Sequence, residues 1–340
     1  MGGLTTEIFF SSRTLGDISN HQLQLMLDRF ALGSLISSEM TPNGVGKQTL
    51  LIQSTTGKYV LKGNPLYTGQ FMEEKYFVDQ LSKRTQLPVP VPYIVDESTD
   101  IFGWSYAIMP RLTGCHINDL EGLQDEEKQQ IGILLARTLH ELHQWKTDRY
   151  GEYDAAARNI RPFAEGYQAW LYGRIKYWLE DAKKYSDVSS MDIQWVDDML
   201  FNSLKAFTNC SIVPSFVMGD FNPNNILVQM DTGAPRVSGI FDFTMGYFAD
   251  GLADLPPMLS SFLDDGEMEL AKSMLNQYYR LTAEKELFVE RLKIHMLHQR
   301  ILDWGCAYAT RQVTWDPVLP FYQWVEKYTD SLQELLEQQL

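Results

Sequence analysis

Val217-Met-Gly-Asp-Phe-Asn-Pro-Asn-Asn-Ile-Leu-Val228 sets an acid, Asp220, directly after an apolar run, and an amide, Asn225, just before a second one. Further on, Gly239-Ile-Phe-Asp-Phe-Thr244 reads as another buried strand ending in an acid, Asp242. Asp231-Thr-Gly-Ala-Pro235, between the two, has the composition of a turn. The pattern predicts a hairpin with Asp220 on the loop at its entrance and Asp242 at its exit. Phosphoryl transfer needs such groups. One carboxylate orients a hydroxyl and takes its proton, while an amide oxygen and a second carboxylate hold Mg²⁺ on nucleotide phosphates.

The chain has 340 residues, enough for two subdomains and a large core. Its cysteines, Cys115, Cys210 and Cys306, are odd in number and widely spaced without a CxxC pair. That excludes a disulfide framework or zinc site and fits a reducing cytosol. The first twenty residues lack the basic start and apolar core of a secretory signal. No stretch is long and apolar enough to span a membrane, so a cytoplasmic protein without a membrane partner is expected. Net charge is −15 and no Lys/Arg run is present, which argues against nucleic acid. The same charge leans toward a cationic small molecule, although an acidic surface also serves solubility alone.

Residues 18–30 form an amphipathic pattern with Ser19 or Asn20 as a cap. Thr49-Leu-Leu-Ile-Gln53 and Tyr59-Val-Leu-Lys62 read as strands joined by a turn. Upstream, Asn43-Gly-Val-Gly-Lys47 is a glycine-containing turn whose amides around Gly44 and Gly46 are able to cover phosphates, though two glycines here also suit a plain hairpin. Lys62 ends its strand and is followed by a helical pattern over 70–83, with Phe71, Phe77, Val78 and Leu81 inward. This helix brings Glu73 or Glu74 to the lysine, and periodicity alone does not choose between them. Such a pair readies an ammonium for nucleotide α- and β-phosphates. Leu87-Pro-Val-Pro-Val-Pro92 is an extended connector into a strand at 93–96. Trp104 to Met109 is a further strand, broken by Pro110-Arg-Leu-Thr-Gly114, the candidate linker to the next subdomain.

From residue 125 the pattern turns helical apart from the hairpin. A long helix runs over 125–145. His140 and His143 lie on it without a third ligand, and are read as structural. The aromatic segment 161–185 is read as a helix whose aromatics mostly enter the core, with the remainder available to line an acceptor pocket. Another helix covers 192–208. Asp250 and Asp254 follow the second strand, and Asp254 reads as the N-terminal carboxylate of an apolar helix.

This arrangement resembles the aminoglycoside phosphotransferase and choline kinase-like family, small-molecule kinases with a protein-kinase-like fold. The family's loop of His-Gly-Asp, four residues and Asn is matched by Met218-Gly-Asp220 and Asn225. Its metal motif is matched by Phe241-Asp-Phe243 and its following acids by Asp250 and Asp254. Val60-Leu-Lys62 is similar to the nucleotide lysine, and the helix register then favours Glu74 over Glu73. The resemblance implies an α+β, two-lobed fold: a small antiparallel-sheet N-lobe (residues 1–110) and a mainly helical C-lobe (residues 111–340). It further implies a kinase that uses ATP, with GTP as the alternative, and Mg²⁺ held by Asn225 and Asp242. Asp220 is then the base, Lys62 and Glu74 serve the phosphates, Gly44 and Gly46 cover them, and Met109 to Leu112 face the adenine. The implied partner is a small-molecule hydroxyl acceptor, aminoglycoside-like or, alternatively, choline, a sugar or an amino alcohol. Two departures stand out. Met218 replaces the usual histidine, which leaves a nucleotide-binding pseudokinase as a rival, and Asn222 stands where members often carry histidine.

Overall fold

The computed structural model describes residues 15–41, 49–208, 212–230 and 234–336. Helix α1 (Asn20–Arg29) opens at Ser19, whose hydroxyl accepts the Gln22 amide while the Gln22 side chain returns to Ser19, a reciprocal cap. Strands β1 (Leu35–Met40), β2 (Thr49–Ser54) and β3 (Lys58–Gly63) follow, then helix α2 (Gln70–Arg84), and strands β4 (Ile94–Asp96) and β5 (Tyr106–Pro110). They form one antiparallel sheet in the order β1-β2-β3-β5-β4. Period-two alternation in β2 buries Leu50 and Ile52 beneath Leu23, Met26 and Leu27 of α1, a small core of its own. Pro110 does not break β5 as expected. It occupies the last position, opposite Tyr59, where a missing N–H costs the ladder little.

The C-lobe begins with β6 (Cys115–His116) and α3 (Asp125–Leu142), then β7 (Gly151–Asp154), β8 (Asn159–Pro162) and α4 (Tyr167–Ala182). Next come α5 (Ser190–Asn202), α6 (Leu204–Thr208), β9 (Ser215–Val217), β10 (Ile226–Met230), β11 (Pro235–Ile240) and β12 (Tyr247–Ala249). Helices α7 (Leu255–Asp264), α8 (Met268–Leu281), α9 (Phe288–Thr310) and α10 (Phe321–Leu335) complete it. The expected hairpin is β10/β11, with Ile226 opposite Ile240 and β6 on its far side. Residues 231–233 of the expected turn lie outside the described residues. The apolar run before Asp220 belongs to a different sheet: β9 pairs with β12 in the order β8-β7-β12-β9. Residues 218–225 therefore cross from one small sheet to the other.

Two expectations about helices are corrected. The helix expected over 161–185 starts at Tyr167, because residues 151–162 form a hairpin with Gly151 opposite Pro162. Ala155-Ala-Ala-Arg158, which favours helix by composition, turns instead, with Arg158 at φ 53°. The single helix expected over 192–208 is two, α5 and α6, separated at Ser203.

The lobes meet through aromatic rings. Phe77 of α2 lies 5.1 Å from Phe216, 6.1 Å from Phe248 and 6.2 Å from Trp145, centroid to centroid. Tyr76 stacks on Tyr153 at 3.6 Å with planes 2° apart. Helices α3 and α8 pack closely because Gly132 presents no Cβ. A methyl there would collide with Ser273 Oγ and lie 2.9 Å from Leu270 O. Among the described residues, no helix is long and apolar enough to cross a membrane.

Candidate active site

Lys62 lies next to last in β3, and its ammonium sits among three carboxylate oxygens. Nζ donates to Glu74 Oε1 at 3.0 Å, to Glu74 Oε2 at 2.9 Å and to Asp242 Oδ1 at 2.9 Å. The register of α2 turns Glu74 inward among Phe71, Phe77 and Val78, where it is 1% exposed. Glu73, one step round the helix, accepts the Tyr67 hydroxyl instead at 2.7 Å. Glu74 also accepts the Tyr93 hydroxyl at 2.6 Å and the Phe243 amide at 3.1 Å. A buried carboxylate is tolerable only when its lone pairs are filled in this way. Burial alone would favour the neutral amine of Lys62, but Asp242 and Glu74 outweigh it and raise its pKa. Burial, followed by the Glu74 charge, lifts the Tyr93 phenol well above its ordinary value, so it stays a donor.

Asp242 follows β11 in the left-handed region, at φ 68°. A non-glycine residue held there costs on the order of 1 kcal/mol or more. The turn gives Phe243 N–H to Glu74 and lets Thr244 Oγ1 donate to Asp242 Oδ1 at 2.6 Å. Burial pushes the Asp242 pKa up, yet Lys62 and Thr244 more than offset this, and the net shift is downward.

Asp220 lies on the crossing between β9 and β10. Asn222 Nδ2 donates to Oδ1 at 2.6 Å and Asn225 Nδ2 donates to Oδ2 at 2.7 Å, so each oxygen has its own amide. Asn225 Nδ2 also reaches Asp220 O at 2.9 Å. Burial, followed by the charge of Asp242, pushes the Asp220 pKa up to about 6 against the lowering effect of the two amides. Asp220 and Asp242 thus feel each other across the cleft. The sequence alone assigns no role to Asn222. Its place two residues after an acid, on a loop, was the signal available.

The loop is braced from below. Gly219 has φ 78°, and a Cβ there would strike Met245 O. Asp254, fully buried, accepts Met218 N at Oδ2 and Gly219 N at Oδ1, both at 2.7 Å, and His143 Nε2 lies 3.1 Å from Oδ2. The expectation for Asp254 is therefore corrected: its side chain makes no cap to α7 and is spent on the backbone beside Asp220. His143 Nδ1 lies 2.7 Å from the Tyr278 hydroxyl, so the imidazole bridges Asp254 and Tyr278. Met218 has its side chain in the main core with no exposure. Asp250 is the other buried acid nearby. Arg291 Nη1 donates to it at 2.7 Å and His295 Nε2 lies at 3.2 Å. Burial would raise its pKa, but Arg291 and His295 hold it well below the carboxylate range.

The remaining expected residues are placed as follows. Met109 is buried in β5 opposite Val60, and Leu112 packs beside Gly239. The Arg111 amide is spent on Lys58 O at 2.9 Å. Gly44 and Gly46 lie outside the described residues. Asn225 directs its nitrogen to Asp220, which leaves its amide oxygen, together with Asp242, as hard donors of the kind Mg²⁺ shares with phosphates and water. A pocket opens beside Gly219 and Thr244, lined among others by Glu73, Glu152, Trp170, Arg174 and His298.

The sequence profile of the phosphotransferase enzyme family matches residues 41–288. No protein of curated function matches the chain in sequence. Among solved structures, a thermostable mutant of the aminoglycoside phosphotransferase APH(4)-Ia with ADP and hygromycin B superposes with a TM-score of 0.63 at 16% identity, over 92% of this chain and 97% of that one. The GDP complex of aminoglycoside 2'-phosphotransferase-IIIa gives 0.63 at 14%, over 93% and 97%. A putative aminoglycoside phosphotransferase from Ralstonia eutropha gives 0.61 at 18%, over 94% and 97%. At these identities the superpositions establish a common fold: an antiparallel-sheet N-lobe on a helical C-lobe.

Proposed function

The chain belongs to the phosphotransferase enzyme family, and on that footing we propose that it is a small-molecule kinase in which Asp220 orients the acceptor hydroxyl and takes its proton. One observation carries the reading. A carboxylate gripped on both oxygens by Asn222 and Asn225 faces the cluster of Lys62, Glu74 and Asp242.

The nucleotide, ATP with GTP as the alternative, binds on the side of residues 1–110, and the acceptor binds on the side of residues 111–340. Lys62, fixed in place by Glu74, serves the α- and β-phosphates, and its proton is secured by the two acids around it. Met109 to Leu112 face the adenine, and the amides around Gly44 and Gly46 cover the phosphates. The Asn225 amide oxygen and the Asp242 carboxylate would hold Mg²⁺, which when bound neutralises charge on the phosphate oxygens. Asp220 needs no reorganisation to act, because its amides already hold both oxygens. Cys115 is an exposed thiol outside any disulfide, which suits a cytoplasmic enzyme.

Of the acceptors expected from sequence, Arg174 in the pocket beside Gly219 favours a metabolite over an aminoglycoside-like polycation, while Glu73 and Glu152 line the same pocket. Met218 gives no support to a pseudokinase: it fills the core with its side chain, while Asp254 holds its backbone. Asp220→Ala is expected to remove nearly all transfer while Mg·ATP still raises the melting temperature as in the wild type. Full activity in that variant would overturn the assignment.

A further inference from the structure

Two polar groups in the pocket beside Gly219 lack partners. Arg174 of α4 stacks on Trp170 with its Cζ 4.8 Å from the ring centroid and lies 5.9 Å from Trp178. Its Nε is shut off from solvent without a hydrogen-bond partner. Among the described residues no carboxylate comes within ion-pair distance of this guanidinium. The second group is His298 of α9, whose Nε2 is likewise enclosed and unbonded. The other charged groups of the pocket are already engaged. Arg161 pairs with Glu152 at 3.0 Å and approaches Asp154 at 3.8 Å, while Glu73 takes the Tyr67 hydroxyl. His295 is bound to Asp250.

Burial lowers the Arg174 pKa, but arginine remains protonated in proteins, so Arg174 brings a positive charge to a pocket that Glu73 and Glu152 also line. The indoles hold the guanidinium by its face, and its in-plane donors form the fork that matches a carboxylate or phosphate. Burial, then the charge of Arg174, drives the His298 pKa well down, which leaves a neutral ring able to donate one hydrogen bond.

We propose that Arg174 and His298 form an anion subsite, and that the acceptor carries a carboxylate or phosphate group in addition to the hydroxyl it offers to Asp220. The inference rests on the kinase reading. In the transfer, the acceptor oxygen bonds to the γ-phosphorus, the bond to the ADP oxygen breaks, and the hydroxyl proton passes to Asp220. The overall charge of −15 does not oppose it. Surface charges are screened over about 10 Å, whereas a group inside the pocket meets Arg174 directly.

The test is ADP release from Mg·ATP over matched acceptors: hydroxy acids and their amides, sugar phosphates and their parent sugars, and choline and kanamycin. An anionic member should exceed its neutral partner in kcat/KM, and the better anion class identifies carboxylate or phosphate. Arg174→Gln should raise KM for that acceptor about 10- to 100-fold with kcat nearly unchanged. Arg174→Lys, which keeps the charge and loses the fork, should recover only part, and His298→Gln should raise KM less. Preference for neutral or cationic acceptors, or an unchanged KM in both Arg174→Gln and His298→Gln, overturns the subsite and leaves the kinase reading standing. Failure of Mg·ATP either to stabilise the chain or to be consumed overturns both.

Discussion

Asp254→Asn separates a braced loop from a merely adjacent one. The Asp254 carboxylate receives Met218 N and Gly219 N at 2.7 Å each, with His143 at 3.1 Å, and no solvent reaches it. An asparagine of the same shape keeps one accepting oxygen. With that oxygen toward Met218 and His143, its NH₂ meets Gly219 N–H donor to donor. One charge-assisted hydrogen bond, about 1.5–3 kcal/mol, is lost, and one buried donor is stranded at about 1–3 kcal/mol. The local cost is therefore about 3–5 kcal/mol. Part of it is relieved if Gly219 shifts, and Asp220 is the next residue along. The expected outcome is a chain that folds with a lowered melting temperature, still gains stability from Mg·ATP, and releases ADP at least about 100-fold more slowly, as ~3 kcal/mol in positioning implies. The assay pairs thermal unfolding with initial rates of ADP release. His143→Gln, which leaves both backbone donors on Asp254 in place, should give a much smaller effect. If Asp254→Asn keeps both the wild-type rate and the wild-type melting temperature, the carboxylate is not the brace.

Lys62→Met should weaken Mg·ATP binding and also lower stability by about 3–5 kcal/mol, because it strands the buried Glu74; adding Glu74→Gln should restore part of the stability and none of the binding, read by urea unfolding and nucleotide titration. Asp250→Asn should cost about 3–5 kcal/mol by leaving Arg291 buried against a neutral partner. The folded-state pKa of Asp250 is depressed, so its contribution is complete above the ordinary carboxylate range and is lost as pH falls toward that depressed value. The stability gap between wild type and variant should hold from pH 7 to about 5 and shrink only below about pH 4. Gly132→Ala should lower the melting temperature, since a steric cost of up to about 3 kcal/mol against the α8 backbone exceeds the ~1 kcal/mol gain in helix propensity.

What was legible in the chain was what short-range order controls. The β10/β11 hairpin, the strand ending near Lys62 and the helix carrying Glu74 follow from periodicity and turn chemistry within a few tens of residues. The meeting of Lys62 with Asp242 is a long-range contact: the matching motifs assign both to one nucleotide site, but the ion pair between them is not legible in the sequence. The role of Asp254 was not legible from position alone. An acid at the start of an apolar helix is ordinarily a cap, and only the tertiary fold carries it under a loop thirty-odd residues earlier. The β7/β8 hairpin was hidden by three alanines, a composition that favours helix until sheet pairing overrides it. Arg174 and His298 were equally silent, because they meet one pocket only once α4 and α9 pack together.

The aromatic joint also bears on how the cleft opens. Phe77 and Tyr76 anchor α2 to Phe216, Phe248, Trp145 and Tyr153 of the C-lobe; one face of the sheet shares a separate core with α1, while Ala107 and Met109 of β5 join α2 in the main core. In mechanical terms α2 is held on both sides, by the C-lobe rings and by the inner face of the sheet. Between β3 and α2, the pair of Lys62 and Glu74 is the polar latch across this seam. A seam packed on both sides in this way should let helix and sheet move together rather than slide past one another. Amide protons of β5 and of the middle of α2 should therefore exchange with solvent at similar rates, both more slowly than those of the exposed edge strand β1.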